Sequence, residues 1–134
     1  MSMDQTVLEA KRIGVFNCSI HCTLSEAAAR MLDEDISALV AVDEDGCLAG
    51  IITRVDLLRA WQESSNWRSE TVHQFMNPNV VSVTEEVCLD EVARLLLEKH
   101  IHRVVVVRMT EDGMTRPIAV VSAADLIYHM VNES

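Results

Sequence analysis

One segment of this chain occurs twice. Leu24-Ser-Glu-Ala-Ala-Ala-Arg-Met-Leu-Asp-Glu-Asp-Ile36 lies over Leu89-Asp-Glu-Val-Ala-Arg-Leu-Leu-Leu-Glu-Lys-His-Ile101 at a constant offset of 65 residues. Glu26 falls on Glu91, Ala28 on Ala93 and Leu32 on Leu97. Each copy runs on into an apolar, strand-like stretch, Ala38–Val42 and Val104–Val107, and then into an acidic turn, Asp43-Glu-Asp-Gly46 and Glu111-Asp-Gly113. Beyond the turns the offset becomes 69, and Gly50-Ile-Ile-Thr-Arg-Val-Asp-Leu57 matches Ala119-Val-Val-Ser-Ala-Ala-Asp-Leu126. A surface turn is where a chain absorbs extra residues most readily. A fold for this chain must therefore supply the same supersecondary unit twice.

Periodicity defines that unit. Leu24, Ala27, Ala28, Met31 and Leu32 have helical spacing, as do Leu89, Val92, Ala93, Leu96 and Leu97. Both sets are expected to face a core. Thr23-Leu-Ser-Glu26 reads as a capping box. The Val/Ile runs flanking each acidic Gly turn read as a β-hairpin. A second helix is expected from Arg54 in the first copy and from Ala123 in the second. A short strand is expected before each copy, near Val15–Cys18 and Val80–Val83. Each copy is thus a βαββα unit, and the chain is of the α+β class. Residues 1–14 are expected to be a lead-in helix, 15–62 the first repeat, 63–78 a linker with a second lead-in helix, and 79–134 the second repeat. Trp61–Glu70 is polar and without a clear period, as a linker should be, and Pro78 ends the short helix of Thr71–Phe75.

Composition narrows the function classes. Hydrophobic residues make up 49% of the chain, enough for a core, and they are mostly aliphatic. A formal charge of −10 repels phosphate backbones, so nucleic acid is not an expected partner. No apolar run approaches the ~18 residues of a membrane helix. The N-terminus lacks the features of a secretory signal. Cys18, Cys22, Cys47 and Cys88 are accordingly expected as reduced thiols in a cytoplasmic protein. His21 between Cys18 and Cys22 hints at metal, but the spacing is not that of a zinc site and no second ligand pair follows. Neither a bound metal nor a cofactor is expected. No phosphate-binding loop, nucleophile elbow or zinc helix motif is present, so the chain is not expected to be an enzyme.

The doubled βαββα order resembles a tandem pair of CBS domains, the module named after cystathionine beta-synthase. Gly50-Ile-Ile-Thr-Arg-Val-Asp56 is similar to that family's Gly-hydrophobic-hydrophobic-Ser/Thr-x-x-Asp signature. Phe75-Met-Asn-Pro78 before Asn79–Val83, and His102-Arg103 before the Val run, fit the same pattern. The resemblance covers about residues 14–131. It implies two repeats packed through their sheets with pseudo-two-fold symmetry, clefts that take an adenosine nucleotide, and pairing into a homodimer. Three departures matter. Lys11-Arg-Ile-Gly14 stands where a Met-x-Pro lead-in would be. Ser37-Ala38 replaces the His-Arg pair in the first repeat. Ala119 replaces the signature glycine in the second.

Under that resemblance, Ser122 and Asp125 stand where a strand turns into a helix, a place that favours anions. The Ser122 hydroxyl could donate to phosphate, and the Asp125 carboxylate could accept from both ribose hydroxyls. His102 and Arg103 could neutralise the phosphate. Thr53 and Asp56 form the same motif in the first repeat without such a pair. Phe16, Asn17, Cys18, Val81 and Val83 could line adenine slots. Helix capping alone also accounts for Ser-x-x-Asp and Thr-x-x-Asp. The expected function is a regulatory module that senses AMP, ADP or ATP and acts on an unidentified protein partner. The alternative is a dimeric interaction scaffold with empty clefts.

Overall fold

The computed structural model of this chain describes residues 5–7 and 16–132. The expected N-terminal helix lies mainly outside those residues. Two compact α+β units are present. Phe16–Val80 makes one, and Val81 onward makes the other together with the start of the chain.

In the first unit, β1 (Asn17–Ser19), α1 (Leu24–Glu34), β2 (Ala38–Val42), β3 (Leu48–Thr53) and α2 (Arg54–Glu63) follow in order. β1 pairs parallel with β2, and β2 antiparallel with β3, giving a three-stranded sheet with β2 in the centre. The second unit repeats the plan with β4 (Ser82–Thr84), α4 (Leu89–Lys99), β5 (Arg103–Met109), β6 (Thr115–Ser122) and α5 (Ala123–Asn132). A short α3 (Val72–Phe75) closes the first unit. The hairpin turns close on Gly46 and Gly113, whose φ values of 80° and 81° favour glycine.

α1 and α4 end alike but open differently, since Cys88 before α4 makes no side-chain cap. Thr23 opens α1 with a reciprocal box: the Glu26 amide donates to the Thr23 hydroxyl at 3.2 Å, and the Thr23 amide to the Glu26 carboxylate at 3.2 Å. Asp35 and His100, offset by 65, both adopt left-handed φ, 52° and 54°. The next residue then donates back across the helix end, Ile36 N to Met31 O at 3.0 Å and Ile101 N to Leu96 O at 3.1 Å. Leu24, Ala27 and Met31 face one core, and Leu89, Val92 and Leu96 the other.

Three expectations need correction. Leu32 and Leu97 do not face the cores; they are 81% and 76% exposed. Eight residues beyond the first leucine the helix has turned ~80° off the buried stripe, and each sits beside the helix end. β1 and β4 begin later than expected, at Asn17 and Ser82, because each pairs with only three residues of its neighbour, Val40–Val42 of β2 or Val105–Val107 of β5. The stretch 61–70 is not featureless. α2 runs through Glu63, Trp67–Ser69 is a 3₁₀ turn, and Trp67 packs on the first core.

The lead-in segments are exchanged between units. Val72, which precedes the second repeat in sequence, is fully buried in the first core. It is tied there by Val72 N to Cys22 O at 2.9 Å and Leu24 N to Glu70 O at 2.8 Å. Val7, offset by 65 from Val72, is buried in the second core and tied there by the matching bonds, Val7 N to Val87 O at 2.9 Å and Leu89 N to Gln5 O at 2.9 Å. Gly50 marks where the α3 lead-in crosses β3. A Cβ on Gly50 would lie 2.7 Å from Met76 Sδ and 2.8 Å from the Asn77 carbonyl oxygen, and Ile51 and Asn77 exchange both backbone bonds there.

Candidate functional site

In each unit the register gathers the expected site residues at one end of the sheet. Arg103 is the ladder partner of Ser122, and Ser82 that of Val105. The start of β4, the start of β5 and the junction of β6 with α5 therefore lie side by side. The Ala123 amide donates to the His102 carbonyl at 3.0 Å, holding the helix start against His102. The first unit is built identically, with Ala38 opposite Thr53 and the Arg54 amide donating to the Ser37 carbonyl at 3.2 Å.

At both helix starts the hydroxyl and the carboxylate bond each other. The Ser122 amide and hydroxyl donate to Asp125 Oδ2 at 2.8 and 3.1 Å, and the Asp125 amide returns to the hydroxyl at 3.3 Å. Thr53 and Asp56 show the same set at 2.8, 3.0 and 3.4 Å. Both motifs are thus complete capping boxes, with the carboxylate in the positively polarised first turn. Asp56 is only 8% exposed. Its remaining oxygen, Oδ1, pairs with Arg59 Nη2 at 3.1 Å. A buried carboxylate is tolerable when every oxygen is engaged in this way.

The two units differ in their cations. His102 is exposed and Arg103 half-buried, and neither side chain hydrogen-bonds or ion-pairs with another described residue. Around the first motif the arginines are engaged. Arg59 also donates to the Phe75 carbonyl at 3.1 Å and approaches Glu63 at 3.9 Å. Arg54 lies 3.8 Å from Asp35. Arg30 donates through Nη1 to the Asn17 carbonyl on edge strand β1. Neither Arg30 nor Arg59 is among the sequence-derived site residues. The Asp56-x-x-Arg59 spacing was a readable signal, since side chains three apart on a helix meet. The Arg30–Asn17 contact had none.

The residues of the expected adenine slots divide by strand alternation. Cys18 and Val83 point into the cores, so only their backbone is left for a ligand. Phe16 and Asn17 are exposed and Val81 is half-buried. The Phe16 and Val81 carbonyls accept from Val40 and Val105 at 3.0 and 3.1 Å. Burial pushes the Cys18 thiol up to about 11, with Cys22 adding to the effect. Among the described residues no three His, Cys, Asp or Glu side chains are grouped to hold a metal ion.

This doubled βαββα architecture, with a capped Ser/Thr-x-x-Asp helix start in each half, is that of a regulatory domain pair. The chain belongs to the CBS domain family, which matches residues 10–63 and 72–132. It is 25% identical to a CBS-domain containing protein from Agrobacterium tumefaciens, with a TM-score of 0.77 over 92% of this chain and 94% of that one. CBSX2, solved in complex with AMP, shares the fold at a TM-score of 0.73 and 22% identity over 87% of each chain. The transcriptional repressor CcpN of Bacillus subtilis is 34% identical over 90 residues, 66% of this chain. The chain spans only 42% of CcpN's length. No helix among the described residues is long and apolar enough to cross a membrane.

Proposed function

We propose that this chain is a regulatory module that binds an adenosine nucleotide through its second repeat and alters a homodimer, or a contact with a protein partner, on doing so. The observation that carries the reading is the position of Arg103. Its guanidinium has no partner among the described residues, and it stands across the ladder from Ser122 at the start of α5. A phosphate near that helix start would meet a forked cation, a hydroxyl and the helix dipole together. Asp125 then takes the ribose hydroxyls, His102 assists at the phosphate, and the β4 lead residues Val81 and Val83 border the base. Thr53 and Asp56 make the weaker site, with Phe16, Asn17 and Cys18 beside it. The AMP complex of CBSX2, a protein of the same fold, supports an adenine ligand.

The module acts by binding, not by catalysis, since the motifs hold hydroxyls and carboxylates but no nucleophile activated by a base. Regulation follows if the ligand favours one arrangement of the protein over another. The two capping boxes, being complete without a ligand, favour one rival reading: an interaction scaffold that binds nothing. A thermal-shift panel of AMP, ADP, ATP, NAD and S-adenosylmethionine separates the two. A ligand that binds only the native state raises the midpoint as its concentration rises. A concentration-dependent rise with an adenosine nucleotide is expected, and no rise with any of the five would establish the scaffold.

A further inference from the structure

We infer that two copies of this chain pair head to tail, the corner where α1 runs into β2 in one copy docking on the corner where α4 runs into β5 in the other. This rests on the homodimer reading above and adds which surfaces meet. The two corners share one backbone form. Asp35 and His100 hold the same left-handed turn, and Leu32 and Leu97, three residues earlier, stand out at 81% and 76% exposure. A lone exposed leucine needs no partner, but these two border larger apolar faces. Arg54, at the start of α2, lies 3.8 Å from Asp35, and the Ala123 amide, at the start of α5, donates to the His102 carbonyl at 3.0 Å. Each corner thus adjoins the start of the helix that carries its unit's exposed apolar side chains, Val55, Leu58 and Trp61 on α2 or Ile127, Met130 and Val131 on α5.

On that common backbone the charges are opposite. The first corner carries Asp33, Glu34 and Asp35, all exposed. At the offset of 65 the second carries Glu98, Lys99 and His100. Glu98 is neutralised by Arg94 at 2.9 Å, whereas Lys99 and His100 are exposed and their side chains have no partner among the described residues. A helix C-terminus favours cations, so Lys99 suits the end of α4, while the acids at the end of α1 oppose the dipole there. Asp33 and Glu34 have no described partner to offset this, and the Arg54 contact of Asp35 is long and exposed. Pairing like corners would set Glu34 and Asp35 against their own copies. Pairing unlike corners sets them beside Lys99 and His100 and covers Leu32 with Leu97. Each copy brings both corners, so two copies make the contact twice and the pair closes.

Exchanging the corner residues tests the pairing. Sedimentation over a dilution series gives the dimer Kd of wild type, Glu34→Lys/Asp35→His, Lys99→Glu/His100→Asp, and the variant with all four changes, with melting curves for each. Every new residue is one the other repeat carries on the same backbone. Each double variant gives a chain two corners of one sign, and its dimer should weaken about tenfold or more, ~1.4 kcal/mol per tenfold. The fourfold variant restores opposite corners and should return to the wild-type Kd. Independently of these charges, Leu32→Cys chains mixed with Leu97→Cys chains should form a disulfide-linked pair under mild oxidation with diamide, above the wild-type background, and neither variant should do so alone. Double variants that dimerise as wild type does, or Leu32→Cys chains that cross-link to one another, would overturn the head-to-tail pairing while leaving the homodimer standing. A wild-type monomer at micromolar concentration would overturn both.

Discussion

A single missing methyl group at Gly50 lets the α3 lead-in lie against β3. Gly50→Ala would drive a Cβ into the Asn77 carbonyl and the Met76 sulfur. Met76 can rotate away, but the Asn77 backbone is pinned by its paired bonds to Ile51. Such overpacking costs about 1–3 kcal/mol, so Gly50→Ala should lower the urea midpoint without changing the slope, and equal midpoints would contradict the close approach. Cys18 offers a second residue-scale test. The thiolate is the reactive form, and burial holds this thiol near a pKa of about 11. Iodoacetamide at pH 8 should therefore modify Cys22, Cys47 and Cys88 well before Cys18, as read by peptide mass mapping over time. Equal rates would show that Cys18 is not buried in the native state.

Among the elements, the end of β5 is fastened to the loop after β4 by Arg108, which donates to both carboxylate oxygens of Glu85 at 2.9 and 2.8 Å. That bond, with the guanidinium charge, holds the Glu85 carboxyl below its ordinary 4.5. A carboxylate whose pKa is depressed by folding contributes stability above its unfolded value and loses it as pH falls through the folded one. The melting-temperature difference between wild type and Glu85→Gln should therefore be positive and flat above about pH 5, then shrink as pH falls below the ordinary value. A difference that grew toward low pH would contradict the pairing. The helices were the most legible elements. The starts of α2 and α5 at Arg54 and Ala123 follow from a Thr or Ser with an Asp three residues on, a signal wholly local in sequence. The edge strands were less so, because a three-residue strand has too little alternation to set its ends. The exposure of Leu32 and Leu97 was hidden by a periodicity that drifts off the buried stripe by the last turn. The exchanged lead-ins could not be read at all, since nothing in the local pattern of Val7 or Val72 says which core receives it. At the candidate site the motif residues were legible, and the Asp56-x-x-Arg59 spacing offered Arg59 as well, but the reach of either arginine to a distant backbone carbonyl was not. Arg59 and Arg30 are fixed by contacts to Phe75 and Asn17, far along the chain.

The whole chain carries a formal charge of −10, yet His102 and Arg103 stand side by side at the start of β5. Each repeat also leaves apolar side chains exposed on its second helix: Val55, Leu58 and Trp61 on α2, and Ile127, Tyr128, Met130 and Val131 on α5. Side chains of this kind grouped together mark association surfaces. Light scattering is expected to give twice the 15.0 kDa chain mass, and Trp61→Glu with Ile127→Glu should return it to that of one chain. A wild-type monomer at micromolar concentration would contradict the dimer.

The central claim is that Asp125 anchors a nucleotide in the second repeat, and calorimetric titration of AMP and ATP into wild type, Asp125→Asn and Asp56→Asn tests it most directly. Asn keeps the size and part of the cap while removing the charge. Two hydrogen bonds to a carboxylate, at roughly 1.5–3 kcal/mol each, predict a loss of about two orders of magnitude or more in affinity for Asp125→Asn. Asp56→Asn should bind as wild type does. The account is contradicted if folded Asp125→Asn binds normally: with Asp56→Asn impaired, the first repeat is the site after all, and with both normal, the two motifs only cap their helices.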